Sequence, residues 1–431
     1  MVCDCFCEEV MAVFRKLCSQ FINSEFIRKI LGTIATRMTL MGIGLVTSVI
    51  VARILGPEGR GVYAVASTTG VLVVQFGNMG LHASNSYYVA KDRELLLPLL
   101  SNTLFVSLGI GFGLAIIAQI LFSIQPGLAP IQGPILMLTL AWVPFGLLYL
   151  LLQNLLIGTQ KIRAYNTIEV GNRVISVLFV GALILGNWVT VETVYVSGFV
   201  ALIVCILWTF WQFKVSLLAL PFFSSRLFLD NIRYGIKAYL SAIFAFLVLR
   251  IDMLMIQYIL GPIQAGYYSV AVSLADLIYM LPAIVGIILF PKLVALPNNE
   301  ERWKVTRKVT AYLGIILSLS VCLAIPLAKP AIGLLYGKSF LPAAPAFIIL
   351  GIGTIFYGMN NILSYCLAAM AFPWFAVHIW IVMAGLNIFL NLFLIKRFGI
   401  EGGALSSLIC YFLLLAAQYI YLRKREKHFE G

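Results

Sequence analysis

Arg250 and Asp252 stand two residues apart in one apolar stretch, and Asp276 stands in the next. A charge near the centre of a bilayer costs roughly 2.5–3.5 kcal/mol even on a mild insertion scale, so each of the three needs a partner or a task. Residues two apart point to different sides of a helix, so Arg250 and Asp252 need separate partners, and Asp276 can pair with either. Two chemistries fit this spacing. One is a buried ion pair that locks two helices together. The other is an anion site at Arg250 beside a carboxylate, Asp252 or Asp276, that carries a coupling ion. Arg173 follows Glu169 by four residues, which predicts an intrahelical ion pair ahead of a substrate contact. Arg37 and Lys237 lie within about a turn of helix ends, where a long side chain can snorkel to the headgroups; otherwise Arg37 joins the cavity candidates.

Neutral polar groups form a second set. Thr68, Gln75, Asn78, His82 and Asn85 recur every three to seven residues along one apolar segment, and the amide pairs Gln153–Asn154 and Asn360–Asn361 occupy similar places in the two halves of the chain. Such groups avoid lipid, and they serve either a substrate cavity or polar contacts between packed helices. Gly77 and Pro282 are helix breakers 205 positions apart. Helices interrupted at matched places in two repeats point to a transport site, so both are expected hinges.

Enzymatic signatures are scarce. Gly333-Leu-Leu-Tyr-Gly-Lys-Ser339 is one residue short of a phosphate-binding loop and follows no predicted strand. HExxH, Cys-x-x-Cys and Asp-x-Asp do not occur, so we expect no enzyme, no metal and no cofactor.

The elements that must position these residues are membrane helices. Hydrophobic residues make up 61% of the 431 and charged residues 11%, against roughly 25% charged in soluble domains. Apolar runs predict twelve helices at 33–54, 62–88, 98–123, 133–157, 164–186, 191–212, 234–260, 265–290, 309–330, 342–368, 374–396 and 401–422. Leu55-Gly56-Pro57-Glu58-Gly59-Arg60-Gly61-Val62-Tyr63-Ala64-Val65-Ala66 returns as Leu260-Gly261-Pro262-Ile263-Gln264-Ala265-Gly266-Tyr267-Tyr268-Ser269-Val270-Ala271, with seven of twelve positions identical. Each copy joins two apolar segments, with Gly-Pro closing one helix before the next opens. The chain is therefore an all-α polytopic membrane protein of about twelve transmembrane helices in two six-helix lobes related as parallel repeats.

The net charge of +13 follows the same topology, because 20 of 30 Lys and Arg fall in alternate loops and the tails, and six, Arg53, Arg60, Lys329, Lys338, Lys396 and Arg397, on the other side. That asymmetry predicts both termini in the cytoplasm and gives no nucleic-acid patch. The expected division is a cytoplasmic N-terminal segment at 1–30, lobes at 31–212 and 234–422, a linker at 213–233 and a basic tail at 423–431. Arg15, Lys16, Arg28 and Lys29 beside Phe14, Leu17, Phe21 and Phe26 predict an interfacial amphipathic helix, with no cleaved signal peptide. Cys3, Cys5 and Cys7 lie ahead of it, possible sites of lipidation or metal binding in a stretch that precedes Met11, an alternative start.

Ala52-Arg53-Ile54-Leu55-Gly56-Pro57-Glu58-Gly59-Arg60-Gly61-Val62-Tyr63, then Gly80-Leu81 and Tyr87-Tyr88-Val89-Ala90, then Arg250-x-Asp252 ahead of Leu260-Gly261-Pro262 and Gly266-x-Tyr268, resemble the polysaccharide-biosynthesis flippases. These belong to the multidrug/oligosaccharidyl-lipid/polysaccharide exporter superfamily, and the resemblance covers residues 30 to 422. It implies a MATE-like V-shaped architecture whose cavity opens alternately to either side. It implies as cargo a polyprenyl-pyrophosphate-linked oligosaccharide, flipped from the inner to the outer leaflet of the cytoplasmic (cell inner) membrane for surface polysaccharide synthesis. Membrane lipid, a polysaccharide polymerase and glycosyltransferases are the implied partners. An ion-coupled drug or cation antiporter of the same superfamily is the alternative, and a membrane-embedded glycosyl- or acyltransferase or a non-transporting scaffold is an alternative of another class.

Overall fold

Gly56 and Gly261 adopt nearly the same backbone, φ 65°, ψ −176° and φ 87°, ψ 177°. Only glycine enters that region without a steric penalty, so both copies of the repeat need their glycine. This is not the left-handed cap that commonly ends a helix: ψ lies near 180°, which turns the chain back at once into a new helix with proline in its first turn.

The computed structural model describes residues 25–214, 223–370 and 373–427. Residues 1–24, which hold the three N-terminal cysteines and most of the expected interfacial helix, lie outside the described residues, as do residues 215–222 of the expected linker. Among the described residues twelve α-helices follow one another: α1 Glu25–Asn78, α2 Leu81–Lys91, α3 Leu96–Ile124, α4 Pro134–Gly158, α5 Ile162–Leu185, α6 Val191–Phe213, α7 Ser225–Leu260, α8 Pro262–Ala295, α9 Asn299–Leu335, α10 Ala343–Ala369, α11 Trp374–Phe398 and α12 Ile400–Lys427. Eleven are long and apolar enough to cross a membrane. The first is 54 residues long and turns at Gly56, so it holds the first of the expected spans and most of the second.

Several helix starts carry their own chemistry, and those of α7 and α9 fall nine and ten residues before the expected ones. Thr190 and Thr193 form a reciprocal capping box at α6, and the side chains of Ser224 and Asn298 accept the N–H groups of Leu227 and Glu301.

The first six spans and the last six each enclose apolar clusters of their own, and a third, larger cluster joins the halves around the two repeated turns. There α1 lies along α8. Arg53 reaches across to the last carbonyls of α9, donating to Leu334 and, at 2.7 Å, to Leu335. A cation there also complements the helix dipole. About 33–37 Å along the helices, at the end near the chain termini, the halves meet again. Gly80 and Gly235 touch backbone to backbone, and Tyr87 stacks on Tyr234 with ring centroids 4.2 Å apart.

The two expected hinges differ. The interruption in the first half falls at Met79 and Gly80, φ 48° and 84°, two residues beyond Gly77. Helix α8 continues through Pro282, whose ring packs on Gly358 of α10 in space that a Cβ would fill. Gly77 and Pro282 are therefore not matched interruptions: glycine at position 80 supplies the positive φ that the first break needs, while α8 runs on through proline.

Candidate interlobe cavity

Between the lobes lies a cavity of about 750 Å³. The first arm of α1 contributes Arg37, Thr47 and Ser48, the second arm Arg60, Tyr63 and Ser67, and α5 contributes Arg173. From the second lobe come Ser273, Asp276 and Tyr279 of α8, with Tyr336 and Tyr365. Arg60 marks the end at the repeated turns. Arg37 lies 11 residues before Ser48 on the same helical arm, about 16 Å toward the terminal end.

Arg60 is the residue that sequence reasoning missed, since its place beside a loop put it among the charges outside the membrane. It is 8% exposed, and its guanidinium donates to Ser48, Ser269 and Ser273 at 3.1–3.3 Å and lies 5.9 Å from the Tyr63 ring. Three hydroxyl partners satisfy donors but supply no countercharge. A buried cation in that state is costly, and an anion entering the cavity would relieve the cost. The repeat itself held a signal, because the second copy has Ala265 where the first has Arg60.

The other arginines divide. Arg37 donates to the Tyr165 hydroxyl at 2.9 Å and lines the cavity, so its position follows from a partner within the bundle. Arg173 does not form the expected pair with Glu169. The Tyr149 hydroxyl occupies Glu169 at 3.1 Å, and among the described residues Arg173 has no ion pair; its guanidinium borders the cavity. Spacing of four residues permits an ion pair, but a tyrosine on α4 competes for the carboxylate.

Arg250 pairs with Asp276 at 2.7 Å, joining α7 to α8. Asp252 points elsewhere, as two-residue spacing requires. It is 2% exposed and accepts from the Tyr268 and Ser407 hydroxyls and the Met253 N–H. A side space of about 80 Å³ beside the ion pair is closed by Tyr279, Tyr357 and Tyr411. Asp276 reaches both this space and the main cavity.

The neutral amides lie away from the cavity wall, and several of them bond to a neighbouring helix. Asn78 bonds His82 at 2.6 Å beside the α1–α2 break, Asn85 donates to Thr103, and Asn231 of α7 donates to Asn85. Gln153 donates to Thr209, Asn154 to the Leu150 carbonyl, and Asn361 to the Tyr279 hydroxyl, while Asn360 is buried. Gln75 is half-buried and also away from the wall. The structure thus brings Arg37, Arg173 and Asp276 of the sequence candidates to the cavity, with Arg250 one ion pair behind. Lys237, whose ammonium lies 5.1 Å from the Trp374 ring centroid, does not reach it. At the terminal face, outside the spans, burial and the nearby Lys214 and Arg93 hold the Lys161 ammonium below the usual lysine range.

Three cavity arginines against one carboxylate, itself already paired, favour an anion. A family model described as polysaccharide biosynthesis protein matches residues 26–296. The chain belongs to that family. Among curated relatives it is 24% identical to the succinoglycan biosynthesis transport protein ExoT of Rhizobium meliloti, over 77% of this chain and 67% of that one. It is 22% identical to the probable low-salt glycan biosynthesis flippase Agl15 of Haloferax volcanii, over 56% and 51%, and 26% identical to the uncharacterized membrane protein MJ1068 of Methanocaldococcus jannaschii, over 48% and 41%. The chain spans about half the length of these last two relatives. In fold it is similar to an inward-facing multidrug resistance MATE transporter, TM-score 0.73 at 13% identity over 92% of this chain and 99% of that one. It is similar also to the lipid II flippase MurJ in an inward closed conformation, TM-score 0.71 at 16% identity over 92% and 87%. The family member described here is a multi-pass membrane protein whose fold is that of these transporters.

Proposed function

We propose that the protein flips a polyprenyl-pyrophosphate-linked oligosaccharide from the inner to the outer leaflet by alternating access, for surface polysaccharide synthesis. The observation that carries this reading is Arg60, a buried guanidinium bonded among the described residues only to hydroxyls and lining the same cavity as Arg37 and Arg173. A pyrophosphate offers the countercharge these groups lack and accepts from a guanidinium fork in bidentate fashion. The prenyl tail can remain in lipid while the sugars cross through the cavity.

On this reading the terminal end is cytoplasmic, the membrane is the inner membrane, and the repeated turns form the outer gate. The charge asymmetry of the loops supports that orientation. Outward movement of an anion is downhill in a cell that is negative inside, by about 2.3 kcal/mol per charge per 100 mV. The protein then acts as a transporter and performs no catalysis, and the polymerase and glycosyltransferases act before and after it.

The test uses purified protein in liposomes carrying fluorescently labelled undecaprenyl-pyrophosphoryl-N-acetylglucosamine, with flipping read by an external quencher. Wild type should speed the exchange between leaflets, and Arg60→Gln should slow it about tenfold or more, as expected from loss of one charge-assisted contact. No acceleration by the wild type, together with export of a cationic dye, overturns the reading in favour of the antiporter.

A further inference from the structure

Off the main cavity, within the first lobe, opens a side pocket of about 160 Å³. Thr47, Tyr63, Ser67 and Arg173 line both spaces, so the pocket is a branch of the cavity. Its far wall is aromatic. Trp142 and Tyr195 stand beside Tyr63, whose ring meets that of Tyr195 edge to face with centroids 6.2 Å apart. The indole is wedged between two glycines: a Cβ on Gly146 would come within 2.5 Å of its ring, and one on Gly70 within 3.2 Å. The platform is thus held in one place. Facing it, Asn172 and Ser176 lie four residues apart on α5, on one face of the helix, with Arg173 at the mouth.

These groups match one ligand class. The ring hydrogens of a pyranose carry partial positive charge and rest well on the negative face of an aromatic ring. Its hydroxyls need acceptors and donors around the rim. The hydroxyls of Ser67 and Thr47 donate to their own helix, to the Tyr63 and Ile43 carbonyls at 2.9 and 2.7 Å, which leaves their oxygen lone pairs turned outward as acceptors. Asn172 offers both kinds of partner. The volume equals that of about five water molecules, room for a single sugar ring. Arg173, with no ion pair among the described residues, stands where the pocket joins the cavity.

We infer that this side pocket receives the pyranose attached directly to the pyrophosphate, with Arg173 at the junction of sugar and phosphate. The inference rests on the flippase reading above and adds to it a subsite for the first sugar. It predicts that the carrier binds more tightly with a sugar than without.

The experiment measures affinity of the full chain in lipid nanodiscs for undecaprenyl pyrophosphate and for the same carrier bearing glucose, galactose or N-acetylglucosamine. Wild type should bind at least one sugar-bearing carrier about tenfold more tightly than the bare one. Ser176→Leu, which fills the pocket, should erase that preference and leave affinity for the bare carrier unchanged. Asn172→Ala, which removes a rim partner without filling space, should reduce the preference and serves if Ser176→Leu fails to fold. Binding of the bare carrier with no gain from any sugar overturns the subsite alone, as does an equal loss for both carriers in either variant. No binding of the bare or any sugar-bearing carrier overturns the flippase reading together with the subsite.

Discussion

Gly61 and Gly266 meet across the two lobes, each seated against the other's turn. A Cβ on Gly61 would overlap the Pro262 carbonyl oxygen, and one on Gly266 would overlap that of Pro57. The contact is symmetric because the two turns are copies of one another, and it closes the cavity at that end. Backbone cannot yield as a flexible side chain can. Gly61→Ala and Gly266→Ala should therefore each destabilise this closed arrangement by about 1–3 kcal/mol. Gly109→Ala, in helix α3 with nothing within 4 Å of the new Cβ, should be neutral or slightly stabilising. Thermal unfolding in detergent checks this, and midpoints unchanged in the first two variants would contradict it.

The Arg250–Asp276 pair separates structure from transport. Arg250→Ala and Asp276→Ala should each lower thermal stability, and the double variant should recover part of the loss, with a coupling of about 0.5–3 kcal/mol. If Arg250 also touches cargo, flipping stays low in the double variant although stability returns. Recovery of both would make the pair a helix clamp and nothing more.

Asp252 should tolerate Asn in folding, since the side chains match in size and the Tyr268 and Ser407 hydroxyls can rotate to accept as well as donate. If Asp252 is the coupling carboxylate, the variant should then lose coupling alone. Asp252→Asn is expected to transport without dependence on a proton or sodium gradient. A gradient dependence equal to that of wild type would leave Asp252 a structural acceptor.

Orientation is checked by labelling single cysteines in a background without the native ones. Gln132 and Glu301 are both exposed and lie on opposite sides by the span count. A cysteine at Gln132 should react with an impermeant reagent in intact cells, and one at Glu301 only after the cytoplasmic face is opened. The reverse pattern would invert the proposed topology and with it the direction of transport.

The sequence by itself determined the number of crossings, the duplication and the separation of Arg250 from Asp252. Apolar run length, the backbone demands of Gly56 and Gly261 and the helical repeat are local properties, readable without knowing what lies beside each helix. Neighbours across the bundle were not readable. Spacing allowed Glu169 to bind Arg173, yet Tyr149 on another helix takes the carboxylate and frees the guanidinium for the cavity. Amides that could have lined a cleft instead bond between helices, because a stripe on one helix does not say which neighbour it faces. Arg60 was the largest displacement. Its place in the turn suggested exposure, and only the packing of Gly61 on Gly266 draws that turn inward, so that a side chain counted as an outer charge becomes the buried cation at the end of the cavity.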